Sequence, residues 1–117
     1  MGSGEGLRGP AVGGMRTEGD AVVVALRGEL DLYSAPEVRG ALERAAEVRA
    51  VRIVVDLEEV EFVDSTAIAA LVQARSRAGR GGVLLAAPTA EVRRALTVAG
   101  LDGYFDLRDS VADAVRG

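Results

Sequence analysis

The stretch VRIVVDLEEVEFVDSTAIAALVQARSRAG, Val51 to Gly79, decides the architecture. Its opening, Val51 to Leu57, is aliphatic except at Arg52 and Asp56, and so continuous an Ile/Val run reads as a central strand covered on both faces. EEVEFVDST, Glu58 to Thr66, reads as the connection that follows, with Glu58, Glu59 and Glu61 as a solvated loop whose charge suits a basic partner. AIAALVQARSRAG, Ala67 to Gly79, reads as a helix. It is apolar nearly all round at its start, so its first turns are expected to be buried.

The same alternation extends outward in both directions. Upstream, Ala21 to Leu26 (AVVVAL) predicts a buried strand, with Met15 to Thr17 as a brief partner joined through a turn at Gly19-Asp20. Ser34 with Glu37 three residues later predicts a capping box, and Pro36 is acceptable in the first helical turn. Val38, Ala41, Leu42 and Ala45 then fall on one helical face. Downstream, Val83 to Ala86 predicts a strand, and Pro88-Thr89 caps a helix with Val92, Ala95, Leu96 and Ala99 on one face and Gly100 as its stop. Tyr104 to Leu107 is a candidate short strand, and Ser110 and Asp113 frame a last short helix.

Strands alternating with helices predict an α/β fold: a mixed, mostly parallel sheet of four or five strands, with helices packed mainly on one side and the first hairpin as an antiparallel edge. Residues 1–14 contain six glycines and little to bury, which predicts a flexible tail. Residues 15–117 are expected to form one domain, with Met15 a candidate start, as suits a chain of 117 residues.

Composition removes much chemistry. The sequence has no Cys, His, Lys, Asn or Trp. That leaves no thiolate, no imidazole base or metal ligand, no Schiff base and no P-loop lysine. Carboxylates, hydroxyls, Arg and backbone amides remain, so a self-sufficient enzyme is not expected, nor a metal or cofactor. A net charge of -4 with dispersed arginines argues against nucleic acid. No apolar run approaches the roughly 18 residues of a membrane span. The expected location is the cytoplasm.

The candidate site is Asp64-Ser65-Thr66, at the start of the buried helix. All three residue types cap helical N–H groups, and a cap is the simplest reading. The same free amides and helix dipole also suit an anion, such as a phosphate carried on Ser65. Nothing in the chain activates Ser65 in the usual way, so if it reacts it is the substrate of another enzyme. Asp31, after the preceding strand, is either a turn residue or a second member of the site, since loops at the C-terminal ends of adjacent parallel strands converge. Asp56 sits where a receiver domain carries its phosphoacceptor, but that chemistry needs a lysine the chain lacks.

GELDLYSAPEVRGAL, Gly28 to Leu42, and VVDLEEVEFVDSTAIAALVQA, Val54 to Ala74, resemble the two signature stretches of STAS domains. The similarity is closest to the stand-alone bacterial anti-sigma factor antagonists, and ALTVAGLDGYFDL, Ala95 to Leu107, is similar to the family's later helix and strand. The resemblance implies a STAS-like fold and a partner-switching role in transcription regulation. In that role the unphosphorylated protein holds a GHKL-type anti-sigma factor serine kinase and so frees a sigma factor. Phosphorylation releases the kinase, and a serine phosphatase resets the switch. By the same resemblance Ser65 is the phosphoacceptor, Thr66 the lesser candidate and Asp31 the acidic neighbour, in a protein that is monomeric when free. Ala67 stands where the family usually has Gly, which is expected to tighten the kinase's approach.

Two other readings use the same residues. A STAS-like regulatory subunit of an ABC-type lipid transporter would bind the ATPase without any phosphorylation cycle. An enzyme could gather Mg²⁺ on Asp31, Asp56 and Asp64, although nothing else in the chain supports such a mechanism.

Overall fold

The computed structural model describes residues 9–117. Strand β1 (Val12–Glu18) turns through Gly19, whose φ of +59° is open to glycine at little cost, and pairs antiparallel with β2 (Ala21–Leu30). Helix α1 (Ala35–Glu47) leads to β3 (Arg52–Val63), α2 (Ser65–Ala78) to β4 (Val83–Ala86), and α3 (Ala90–Val98) to β5 (Asp106–Arg108). The short α4 (Val111–Arg116) ends the chain. The sheet order is β1-β2-β3-β4-β5, parallel from β2 onward. This is the mixed five-stranded α/β sheet expected from the sequence.

Alternation along the strands divides the core in two. Val22, Val24, Ile53, Val55, Val83 and Leu85 face α1, α2 and α3 in the larger cluster. Val23, Val54, Leu84 and Ala86 face the other way, where α4 covers them with Ala114. Arg52 ties that last helix down, its Nη1 donating to the Val115 carbonyl at 2.7 Å. The expected helical stops are present: Gly100 (φ +76°) lets Leu101 N–H reach the Leu96 carbonyl at 2.8 Å behind α3.

Several boundaries differ from the sequence reading, each for a physical reason. The hairpin begins at Val12, not Met15, because an edge strand can be held by backbone pairing without large side chains. Ala11 is also buried, and the Glu37 carboxylate accepts the Ala11 and Val12 N–H groups at 3.1 and 3.0 Å. Residues 1–8 of the expected flexible tail lie outside the described residues, whereas Val12 to Gly14 belong to the sheet. The capping box at Ser34 does not form. Glu37 is engaged with the hairpin instead, and the Ser34 hydroxyl makes no cap bond.

The largest correction concerns Glu58 to Val63, which is strand rather than loop. It pairs with the equally unexpected extension of β2: Arg27 with Glu59, Gly28 with Val60, Glu29 with Phe62 and Leu30 with Val63. The register shifts twice, between Ala25 and Arg27 and between Gly28 and Glu29, and Gly28 takes a φ of +75° between them. Inward residues therefore recur at Leu57, Val60 and Val63, every third position, which hides the strand from a search for period two.

Candidate functional site

The long β2–β3 pairing decides where the site sits. Leu30 and Val63 are paired partners, so Asp31 and Asp64, the next residue on each strand, leave the sheet side by side. The Asp64 N–H donates to the Leu30 carbonyl at 3.0 Å, which carries the strand contact one residue further. Convergence of the two loops, expected from parallel-sheet topology, is thus seen in the backbone.

Each aspartate then turns to its own task. Asp31 Oδ1 accepts the Tyr33 and Ser34 N–H groups at 3.0 and 3.2 Å, shaping the turn ahead of α1. The Ser34 hydroxyl, buried at 8% exposure, accepts the Asp31 N–H at 2.9 Å and donates to the Glu29 carbonyl at 3.1 Å. Asp64 is the N-cap of α2, and its Oδ1 accepts the Ala67 N–H at 3.0 Å. Its other oxygen, Oδ2, reaches across to accept the Leu32 N–H at 3.2 Å. One carboxylate thereby joins the two loops.

Ser65 occupies the first position of α2 and is exposed, while Thr66 beside it is half-buried. The free end of the helix dipole at this point favours an anion on Ser65. Ala67 is fully buried in the main core, with its N–H taken by Asp64. Its methyl therefore packs inside the protein rather than on the surface beside Ser65. Asp56 holds the Glu58 N–H at 3.1 Å further back on β3. Among the described residues no three acidic side chains gather as a metal site would require, so Asp31, Asp56 and Asp64 do not form the Mg²⁺ cluster considered from the sequence.

The surroundings add an apolar pair that the sequence reading passed over and a cleft that extends the acidic rim it expected. Leu32 and Tyr33, on the turn beside Asp64, are 63% and 81% exposed, a large apolar pair presented to solvent. Two bulky apolar residues directly after an Asp in a short connection were the available signal. Around the other side of Tyr33 runs a broad cleft of about 1130 Å³, lined by Glu37, Glu58, Glu59, Glu61 and Glu91 with Arg27 as its basic member. These glutamates project from strand and helix, not from a solvated loop, so the acidic rim is built on rigid elements. A separate cavity of about 290 Å³ lies between α1 and α2, walled by Leu42, Ala45, Ala70 and Ala74. Ser65 lines neither. Among the described residues no helix is long and apolar enough to cross a membrane.

The model of the STAS domain family matches residues 14–114. Solved structures share the architecture. An anti-sigma factor antagonist from Mycobacterium paratuberculosis is 27% identical, with 87% of this chain and 88% of that chain covered and a TM-score of 0.79. The Bacillus cell fate determinant SpoIIAA in its phosphorylated form is 22% identical over 88% of this chain and 96% of that one, with a TM-score of 0.63. A sulfate transporter family protein from Wolinella succinogenes is 17% identical over 86% of each chain, with a TM-score of 0.71. Among curated proteins none matches the chain.

Proposed function

The chain belongs to the STAS domain family, and from that premise we propose that it is an anti-sigma factor antagonist switched by phosphorylation of Ser65. In its unmodified form it holds an anti-sigma factor serine kinase of the GHKL type and frees a sigma factor, in the cytoplasm of a bacterial cell. A serine phosphatase returns Ser65 to the hydroxyl.

The observation that carries this reading is the placement of Ser65: an exposed hydroxyl on the first residue of α2, beside an exposed apolar pair at Leu32 and Tyr33. Ser65 is accessible to another protein's active site. A hydroxyl there adds no charge to the surface, and the apolar pair then supplies area for a partner to bury. Phosphate adds about -1.5 to -2 charges at neutral pH to the middle of that surface, next to Asp64. Bringing such a dianion into a docked interface costs several kcal/mol in repulsion and desolvation, on the order of a hundredfold or more in affinity. The acidic cleft beyond Tyr33 is consistent with a partner of basic character, drawn in by long-range attraction. Thr66, half-buried, is the less accessible hydroxyl.

Paired pull-downs from the native host with Ser65→Ala and Ser65→Asp baits, together with phosphopeptide mass spectrometry of the wild type, test the reading. A GHKL-type kinase retained by the Ala form and lost by the Asp form, with phosphate mapped to Ser65, is the expected result. An ABC ATPase held equally by both forms, with residue 65 unmodified, would overturn the reading in favour of a transporter subunit.

A further inference from the structure

We propose that Asp64 is a positioning residue: its carboxylate clasps the Leu32–Tyr33 turn to the Ser65 end of α2, so that the apolar pair and the hydroxyl are presented as one surface. The proposal deepens the partner-switching reading and rests on it for the identity of what binds that surface.

An N-cap needs one acceptor, and this chain shows as much twice over. Thr89 caps α3 with its single hydroxyl oxygen on the Val92 N–H, and Ser110 caps α4 with its hydroxyl on the Asp113 N–H. At α2 the cap is a carboxylate whose two oxygens serve different segments. Oδ1 takes the Ala67 N–H at 3.0 Å inside the helix, and Oδ2 takes the Leu32 N–H at 3.2 Å, from a residue 32 positions earlier in the chain. The second bond contributes nothing to capping.

Its consequence follows from what surrounds the turn. Leu32 and Tyr33 are 63% and 81% exposed, so packing of their own side chains does little to fix them. The Asp31 bonds to the Tyr33 and Ser34 N–H groups lie within the turn and set its shape. The Asp64 bond instead runs out of the turn to the start of α2, and sets where the pair stands relative to Ser65. A carboxylate acceptor also makes both bonds charge-assisted, which suits a link between two exposed segments. Pre-positioning of this kind raises affinity by removing an ordering cost that binding would otherwise meet.

The test separates capping from clasping. Asp64→Ser keeps one acceptor at the helix end, as Ser110 does for α4, and removes the second. Asp64→Asn keeps the shape and leaves one oxygen acceptor, and serves if the serine variant does not fold. Amide exchange measured by NMR on the full chain reads both bonds. We expect exchange at Leu32 to rise about tenfold while Ala67 stays within about threefold of wild type. With the serine kinase recovered in the pull-down, KM for the variant should rise about tenfold with kcat within about twofold, since Ser65 itself is untouched. Unchanged exchange at Leu32, or equal loss of protection at Leu32 and Ala67, would overturn the clasp, as would a fall in kcat at constant KM. Failure of any kinase to phosphorylate the wild type would instead count against the partner-switching reading, and the exchange contrast would still decide the clasp.

Discussion

Tyr33→Ala should abolish most of the partner affinity and leave the fold untouched. The residue is 81% exposed and its hydrogen bond within the turn is made by its backbone N–H, which alanine retains. A tyrosine buries on the order of 150–250 Å² when fully enclosed, so covering what this one exposes is worth at most about 3–5 kcal/mol at ~25 cal/mol per Å². Interfaces realise only part of such a ceiling, and a central aromatic anchor lost to alanine typically costs 2 kcal/mol or more, about thirtyfold in Kd. Stability should change by less than about 0.5 kcal/mol, as for surface substitutions generally. Isothermal titration calorimetry against the recovered kinase gives the first quantity, and urea denaturation with an unchanged m-value gives the second. Binding within about threefold of wild type would refute the claim that the Leu32–Tyr33 turn is part of the docking surface. Loss of binding accompanied by a comparable loss of stability would refute the claim that the residue acts at the surface.

Three further predictions bear on the scaffold. Leu57 is fully buried where β3 enters its irregular stretch, and Leu57→Ala should cost about 2–5 kcal/mol in urea denaturation through lost burial and the cavity left behind. A Cβ on Gly82 would stand 2.7 Å from the Ala78 Cβ and carbonyl oxygen, so Gly82→Ala should destabilise the α2–β4 connection by about 1–3 kcal/mol, seen as a lowered Tm. Thr89 both caps α3 and donates to the Val60 carbonyl at 3.2 Å, so Thr89→Ala should lose about 2 kcal/mol while Thr89→Ser retains nearly all of it. Equal losses for the two Thr89 variants would show that the methyl group, not the hydroxyl, matters there.

What could be read from the sequence follows the physics of each segment. Val51 to Leu57 and Val83 to Ala86 are continuous apolar runs that only a covered strand explains; the second matches β4 end to end, and the first places the start of β3 to within a residue but stops short of its end at Val63. Thr89 and Ser110 were legible as caps because capping is local and each finds its partner three residues on. Glu58 to Val63 was illegible as strand for the opposite reason: its inward positions depend on bulges in β2, thirty residues away in sequence. Ser34 and Glu37 matched a local capping pattern, but tertiary partners outcompeted it, Glu37 going to the hairpin backbone and Ser34 to Asp31 and Glu29. Asp31, Asp64, Ser65 and Thr66 could be named from residue type, topology and family resemblance. The two-oxygen reach of Asp64 is a product of the folded pairing with no signature in one dimension, whereas the exposure of Leu32 and Tyr33 was signalled only by two bulky apolar residues after Asp31 in a short connection.

The central claim is that a phosphoryl group on Ser65 decides whether the partner is held. Its most direct test is the Kd of the recovered kinase for two otherwise identical proteins, one with serine at 65 and one with phosphoserine incorporated there during synthesis. The account predicts tight binding of the first and a Kd at least about a hundredfold weaker for the second, from the charge placed beside Asp64 on a partly apolar surface. Equal affinities for the two forms would contradict it.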